Sequence, residues 1–523
     1  MSTQECYIGT RVNANLDKSS NSAESIKSSV FGMSLEDRRK HTYIVGKTGM
    51  GKTTLLTNMI LQDIYNGLGV CFIDPHGDSS EYILDRIPPH RHKDVVYFNP
   101  ADIDFPIGLN ILEPQRGEEP FLITSTLIAV FHKIWQGMWS SRMEYILSNT
   151  LLTLLETEGN TLLGVIKILT DEKYRRKIVA KLTDPLVKNF WNLEFAKFND
   201  RYRQEAVSPI LNKIGQFFSS EVIRNILGQN KSTIDFRDIM DNKKILIANL
   251  SKGKLGEENS NLLGALLISK LQIATMSRVD TPENLRTDFF VYIDEFQNFT
   301  TDSFAGILSE ARKYRLNLIL AHQYIAQLSE SGTTKVKNAI FGNVGTMISF
   351  RIGASDAGEI GREFSGVVTG DELMNLKRGQ IAIKLGLETE SLDPFIATTL
   401  PPLFDKISGQ GLLVVDVSRH NFASTRVKVG EQIRVYLQES KSKVDDKVDD
   451  KMEYNSDKYT GNLNPTDSKI SLQTNLRAIP NQLENKDIIN KKKAKIALSN
   501  EEDIASYLDT FLELRLPNKI IKL

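Results

Sequence analysis

The chain has 523 residues, 41% of them hydrophobic, which supplies about two or three domains with a proper core and excludes global disorder. Its 65 basic and 65 acidic residues cancel, so no overall field marks it for nucleic acid or an acidic membrane, and any polyanion must be gripped locally. Cys6 and Cys71 form neither a disulfide framework nor a zinc-ligand spacing, which fits a reducing cytoplasm.

Residues 1–40 are rich in Ser, Asn and charge and lack an apolar leader-like run; they read as a polar, mobile lead-in with at most one short ordered piece. Short apolar runs bounded by turn residues then follow at 42–45, 69–74 and 94–98, and predict buried strands of a mostly parallel sheet. From 120 to 235 long helical periods replace them, as in 142–156 and 208–218, and predict an all-α insertion. Strand signals return at 244–250, 289–294, 316–321 and 346–352, separated by helical stretches. The expected class is therefore α/β, a nucleotide domain split into 41–119 and 236–437 around the insertion. Residues 438–500, which include the duplicated VDDKVDDK, have the composition of a disordered tail, and 501–523 recover the periodicity of an amphipathic helix. The longest apolar runs, 121–131 and 262–271, fall short of the roughly 20 residues that cross a bilayer, so no transmembrane segment is expected.

Residues 45–54, VGKTGMGKTT, match G-x-x-x-x-G-K-[ST] at Gly46, Gly51, Lys52 and Thr53, between a predicted strand and a helix expected from Lys52 to about Tyr65. Glycines let backbone N–H groups wrap a phosphate, and the helix N-terminus aims positive charge at the same place. The nucleotide-binding run is Gly46, Lys47, Thr48, Gly49, Gly51, Lys52, Thr53 and Thr54, with Lys52 on the β- and γ-phosphates of ATP and Thr53 on Mg²⁺. In FIDPHGD, His76 with Asp74 and Asp78 makes only a weak metal site, three residues in one turn without a distant fourth ligand. The run FFVYIDEFQNF ends a strand in Asp294 and Glu295, which assigns Asp294 to the metal and Glu295 to the water-polarising base. LILAHQY places Gln323 at the next strand tip as a γ-phosphate sensor, while His322 reads as an ordinary strand-end histidine. Arg351 is the candidate for stabilising transition-state charge, with Arg312 and Arg315 competing for that part. No guanine-reading N-K-x-D follows the last strands, which favours ATP over GTP.

These stretches, together with VVYFNPAD, IRNILGQ, ANLSKGKLGEENSNLLG and NVGTMISFRIGASDA, resemble the conjugative coupling ATPases of type IV secretion, the TraD/TraG kind, within the HerA/FtsK superfamily of ring-forming DNA pumps. The likeness runs from about residue 41 to about 403. It implies a RecA-like P-loop core interrupted by an all-α domain, a homo-hexamer, and DNA threaded through the ring by ATP hydrolysis with Mg²⁺. By the same resemblance Lys52 and Thr53 are the nucleotide pair, Asp294 and Glu295 the acidic pair, Gln323 the sensor and Arg351 a finger acting on the neighbouring subunit. Members of that family usually carry N-terminal membrane helices, whereas this N-terminus is polar; the expectation is a cytoplasmic protein, either a soluble coupling protein, a HerA-like cytoplasmic translocase, or an ATPase recruited to the inner membrane through a secretion component or relaxase. A secretion or pilus ATPase acting on polypeptide is the competing reading, and a nucleotide-gated scaffold is disfavoured by the Asp294–Glu295 pair.

Overall fold

Apolar runs buried along their whole length set the frame of the computed structural model, which describes residues 5–11, 29–135, 137–301, 304–329, 334–387, 392–404 and 409–438. In chain order the strands are β1 (Cys6–Arg11), β2 (Ser29–Met33), β3 (Thr42–Val45), β4 (Gly69–Asp74), β5 (Val95–Phe98), β6 (Ile245–Asn249), β7 (Phe289–Ile293), β8 (Leu316–His322), β9 (Thr346–Ser349), β10 (Gln380–Lys384) and β11 (Phe395–Thr399). They form one 11-stranded sheet in the order β2-β1-β11-β10-β9-β3-β8-β7-β4-β6-β5. Strands β3 to β9 are parallel to one another. Helices cover both faces, so these strands need apolar side chains in both directions, which is why they read as continuous runs rather than alternations. The far edge, β10, β11, β1 and β2, is antiparallel.

Between β5 and β6 the described chain is helical, from Pro120–Ile134 through Ser141–Leu155 and Asp200–Ser219 to Phe236–Asp241, without a strand. This insertion shares its core with the sheet: Phe131, Trp135 and Leu151 belong to the same buried cluster as Val45, Ile73 and Ile293. The helix Arg426–Gln438 also packs here, with Lys167 Nζ donating to the Tyr436 carbonyl at 2.6 Å. The helix Glu257–Met276 is long and apolar enough to cross a membrane, yet residues 262–275 are buried inside the fold. The segment from 439 onward, with the expected tail and terminal helix, lies outside the described residues.

The N-terminal expectation needs correction. Residues 1–40 contain β1, β2 and the short helix Leu35–Arg38, not a lead-in with one ordered piece. Cys6, Ile8 and Met33 are buried against the far edge of the sheet, and the short strands bury too few side chains to stand out against their polar flanks. Behind them Arg38 holds Asp63 through two hydrogen bonds, at 2.6 and 2.7 Å, and donates to the Tyr292 hydroxyl at 2.7 Å. All three groups are buried. Asp63→Asn leaves the guanidinium without its counter-charge and is expected to cost about 3–5 kcal/mol, read as a lowered denaturant midpoint.

Candidate functional site

The phosphate loop begins where β3 ends, and the geometry there depends on glycine. Gly46, at φ 155°, passes so close to Phe350 that an added Cβ would lie 2.5 Å from the Phe350 Cβ. Gly51, at φ 117°, opens the helix Lys52–Tyr65 without a side-chain cap, which leaves the N–H groups of its first turn for a ligand. Backbone hydrogen bonds fix the flanks: Gly46 donates to the His322 carbonyl at 3.3 Å, Lys47 to the Arg351 carbonyl at 2.8 Å, and Gly379 to the Met50 carbonyl at 3.0 Å. The middle of the loop, Lys47, Thr48 and Gly49, is exposed, as is Thr53. A concave backbone that a Cβ would fill, ahead of an uncapped helix, fits a phosphate group. Gly46→Ala should weaken nucleotide binding about 10- to 100-fold in a titration, from about 1–3 kcal/mol of imposed strain.

Lys52 is buried and turns its ammonium back to the Gly46 carbonyl at 2.5 Å. Burial lowers its pKa, and the charges of Glu295 and Asp294 oppose that shift, so the two acidic residues lie within electrostatic reach of the ammonium. Asp294 follows β7 and is buried; burial first, then the Glu295 charge, push it up to about 6, while Lys52 pulls the other way. A buried carboxylate so disfavoured in its charged form, within electrostatic reach of the Lys52 ammonium, is a fitting donor for a divalent cation.

Glu295 is a non-glycine residue in the left-handed region, φ 48° and ψ 48°, and this backbone turns its side chain back toward the sheet. Oε1 accepts from the Gln323 amide at 2.8 Å and Oε2 from the Gln297 amide at 2.7 Å. Gln323 reaches it because β8 lies between β3 and β7, bonded to both. The residue at the tip of β8 thus stands between the phosphate loop and the acidic pair, and the sheet order joins four of the residues expected from sequence: Lys52, Asp294, Glu295 and Gln323.

Other candidates are separated from this cluster. His322 shares a 2.5 Å hydrogen bond with the Tyr43 hydroxyl in the core, and burial, then the Lys52 charge, hold its pKa down at about 3. It is a structural histidine. Asp74 spends its oxygens on the next turn, accepting from the His76 N–H and from the N–H and hydroxyl of Ser80, each at 2.9 Å, and among the described residues no group of three or more His, Cys, Asp and Glu side chains is placed to hold a metal. Arg312 and Arg315 precede β8 and so lie at the opposite end of the parallel strands from the phosphate loop. Arg351 lies at the loop end, its carbonyl on the loop, and its half-buried side chain has no hydrogen bond or ion pair among the described residues. Gln297 was missed by sequence reasoning. Its role depends on the left-handed backbone of Glu295, which no residue-type pattern announces.

Comparison with known proteins follows the same lines. The family described as the type IV secretion-system coupling protein DNA-binding domain matches residues 27–366, well over half of the chain. The type 4 coupling protein DotL of Legionella pneumophila is 23% identical over 354 residues, covering 55% of this chain and 44% of DotL, so the chain spans less than half the length of that relative. An uncharacterized protein of Mycoplasma pneumoniae is 29% identical over 128 residues, 24% of this chain and 83% of that protein. Among solved structures, the unbound conjugative coupling protein TrwB lacking its N-terminal segment superposes with a TM-score of 0.52 at 15% identity, covering 72% of this chain and 89% of that one. TrwB in complex with the non-hydrolysable ATP analogue ADPNP gives 0.51 at 16% identity, over 72% and 88%. At such identities the superpositions show a shared fold.

Proposed function

The chain belongs to the family of type IV secretion-system coupling proteins, and from that premise we propose that it is an ATP hydrolase that assembles as a homo-hexameric ring and drives DNA through it. The observation that carries this reading is the Glu295 carboxylate, held by Gln323 at 2.8 Å on the strand between the phosphate loop and the acidic pair. A nucleotide-gated scaffold has no need of such a group.

Gly46 to Thr54 bind the phosphates, with Lys52 exchanging its bond to the Gly46 carbonyl for phosphate oxygens. Solved complexes of TrwB contain ADPNP, and ADP with Mg²⁺, which supports the same ligands here. Thr53 and Asp294 would hold Mg²⁺, which when bound neutralises charge on the β- and γ-oxygens. Glu295 takes a proton from water at Oε1 once the Gln323 amide swings away. One amide therefore both senses phosphate and gates the base. Arg351, beside the loop, supplies positive charge to the transition state of a subunit in the ring. DNA is gripped chiefly through its phosphates, so binding is salt-dependent and largely blind to sequence. The ring works at the cytoplasmic side of the inner membrane, joined to a membrane secretion component and served by a relaxase.

Steady-state ATP hydrolysis by the full chain, measured without DNA and with single- or double-stranded DNA, tests the proposal. Stimulation by one DNA form is the expected result and identifies the form it moves. Robust turnover indifferent to both would overturn DNA as the substrate in favour of a polypeptide.

A further inference from the structure

Glu295 is governed from a second direction, by a residue of the helical insertion. Lys133 lies in the last turn of the helix Pro120–Ile134, and its ammonium donates to the Gln297 carbonyl at 3.1 Å and to the Thr300 carbonyl. Those carbonyls belong to the segment that follows Glu295, which passes through a 3₁₀ turn at Phe296–Asn298 and on to Thr300. From the same segment the Gln297 side chain bonds Glu295 Oε2. A cation on the insertion and the carboxylate at the strand tip are thus linked through one residue, Gln297, whose main chain is clamped and whose side chain does the holding.

The turn has little room to move. Phe296 and Phe299 are fully buried. A Cβ added at Gly264, on the helix Glu257–Met276, would overlap the Phe299 ring, so this side of the turn is in close contact with that helix. Glu295 itself occupies a backbone region that side-chain-bearing residues adopt only when their surroundings impose it. Lys133 fixes the chain immediately after this residue, and an ammonium with three donors suits two carbonyls converging at one point.

We infer that Lys133 is a positioning residue through which the helical insertion sets the orientation of Glu295. This rests on the reading of Glu295 as the base. Among the described contacts, Lys133 reaches Glu295 through Gln297.

The test uses the full chain and the variants Lys133→Met, Lys133→Arg, Gln297→Ala and the double variant Lys133→Met with Gln297→Ala. Hydrolysis is measured with and without DNA, alongside the affinity for a fluorescent ATP analogue and the melting temperature. Lys133→Met is expected to lower kcat about 10- to 100-fold, the loss that a misplaced catalytic group produces. Its KM for ATP and its affinity for the analogue stay at wild-type values. Lys133→Arg recovers most of the rate, and the double variant is no slower than the slower single variant because both changes cut the same link. Wild-type kcat in Lys133→Met, an equal loss of analogue affinity, or losses that multiply in the double variant would each overturn the inference. Where Lys133→Met lowers the melting temperature, Lys133→Gln, which keeps a donor without the charge, is read by the same criteria. A wild-type chain that hydrolyses no ATP overturns the proposed function as well, whereas a hydrolysing wild type with an unaffected Lys133→Met overturns this inference alone.

Discussion

Glu295→Gln is expected to lower ATP hydrolysis by about 10²- to 10⁴-fold, the range general-base catalysis contributes, while ATP binding persists. The amide keeps the shape of the side chain, and its oxygen still accepts from Gln323 or Gln297, which now bond the carboxylate at 2.8 and 2.7 Å. What disappears is the capacity to take a proton. Because Glu295 also raises the pKa of Asp294 by its charge, the substitution makes Asp294 easier to ionise and should not harm metal binding. Single-turnover hydrolysis with equilibrium binding of a fluorescent ATP analogue separates the two effects: lost chemistry with retained affinity supports the base, and retained turnover removes Glu295 from that role.

Gln323→Ala provides the complementary expectation. It releases Oε1 of Glu295 without removing the base, so basal hydrolysis should survive better than in Glu295→Gln while its dependence on DNA weakens. A rate equal to that of Glu295→Gln would mean that the amide acts directly on the reaction rather than through the carboxylate.

The parts of this protein that were legible in sequence are those where one local pattern has one structural solution. Strands β3 to β9 show themselves as apolar runs because a parallel strand covered on both faces tolerates little else. The helix Lys52–Tyr65 begins where the glycine-rich motif places it. The antiparallel edge was not legible. β10 buries only its three central residues, β11 alternates burial over only a few, and β1 pairs with β11 across most of the chain, as Gly9 opposite Thr399. The Arg38–Asp63 pair was hidden for another reason: its members come from a segment of polar composition and from the buried face of the phosphate-loop helix, and no residue-type pattern pairs them. In the site, Lys52, Thr53, Asp294, Glu295 and Gln323 belong to short motifs at strand ends, where residue type and position suffice. Gln297 and Lys133 do not. Their hydrogen bonds exist because Glu295 adopts φ 48° and because a helix that begins at Pro120 ends beside the turn after β7.

Lys52→Met is the second change with a large expected effect. Losing one member of a desolvated charge pair costs about 2–5 kcal/mol, so affinity for Mg²⁺-ATP should fall by about 30- to 4,000-fold. The structure adds a further consequence. Lys52 is the positive charge that draws the Asp294 pKa down from a value raised by burial and by Glu295. Without it, two buried carboxylates on adjacent residues face each other uncompensated, and Asp294 retains its proton to higher pH. The variant should therefore need both more Mg²⁺ and a higher pH than the wild type to reach half-saturation with nucleotide. Lys52→Arg restores the charge but not this behaviour in full: a planar guanidinium cannot follow the compact ammonium into the turn where Nζ meets the Gly46 carbonyl at 2.5 Å. Titrations of the three proteins at several pH values decide the matter. Near-wild-type affinity in Lys52→Met would remove the phosphate-loop reading, whereas lost affinity without a shift in Mg²⁺ or pH dependence would confine Lys52 to the phosphates and separate it from Asp294.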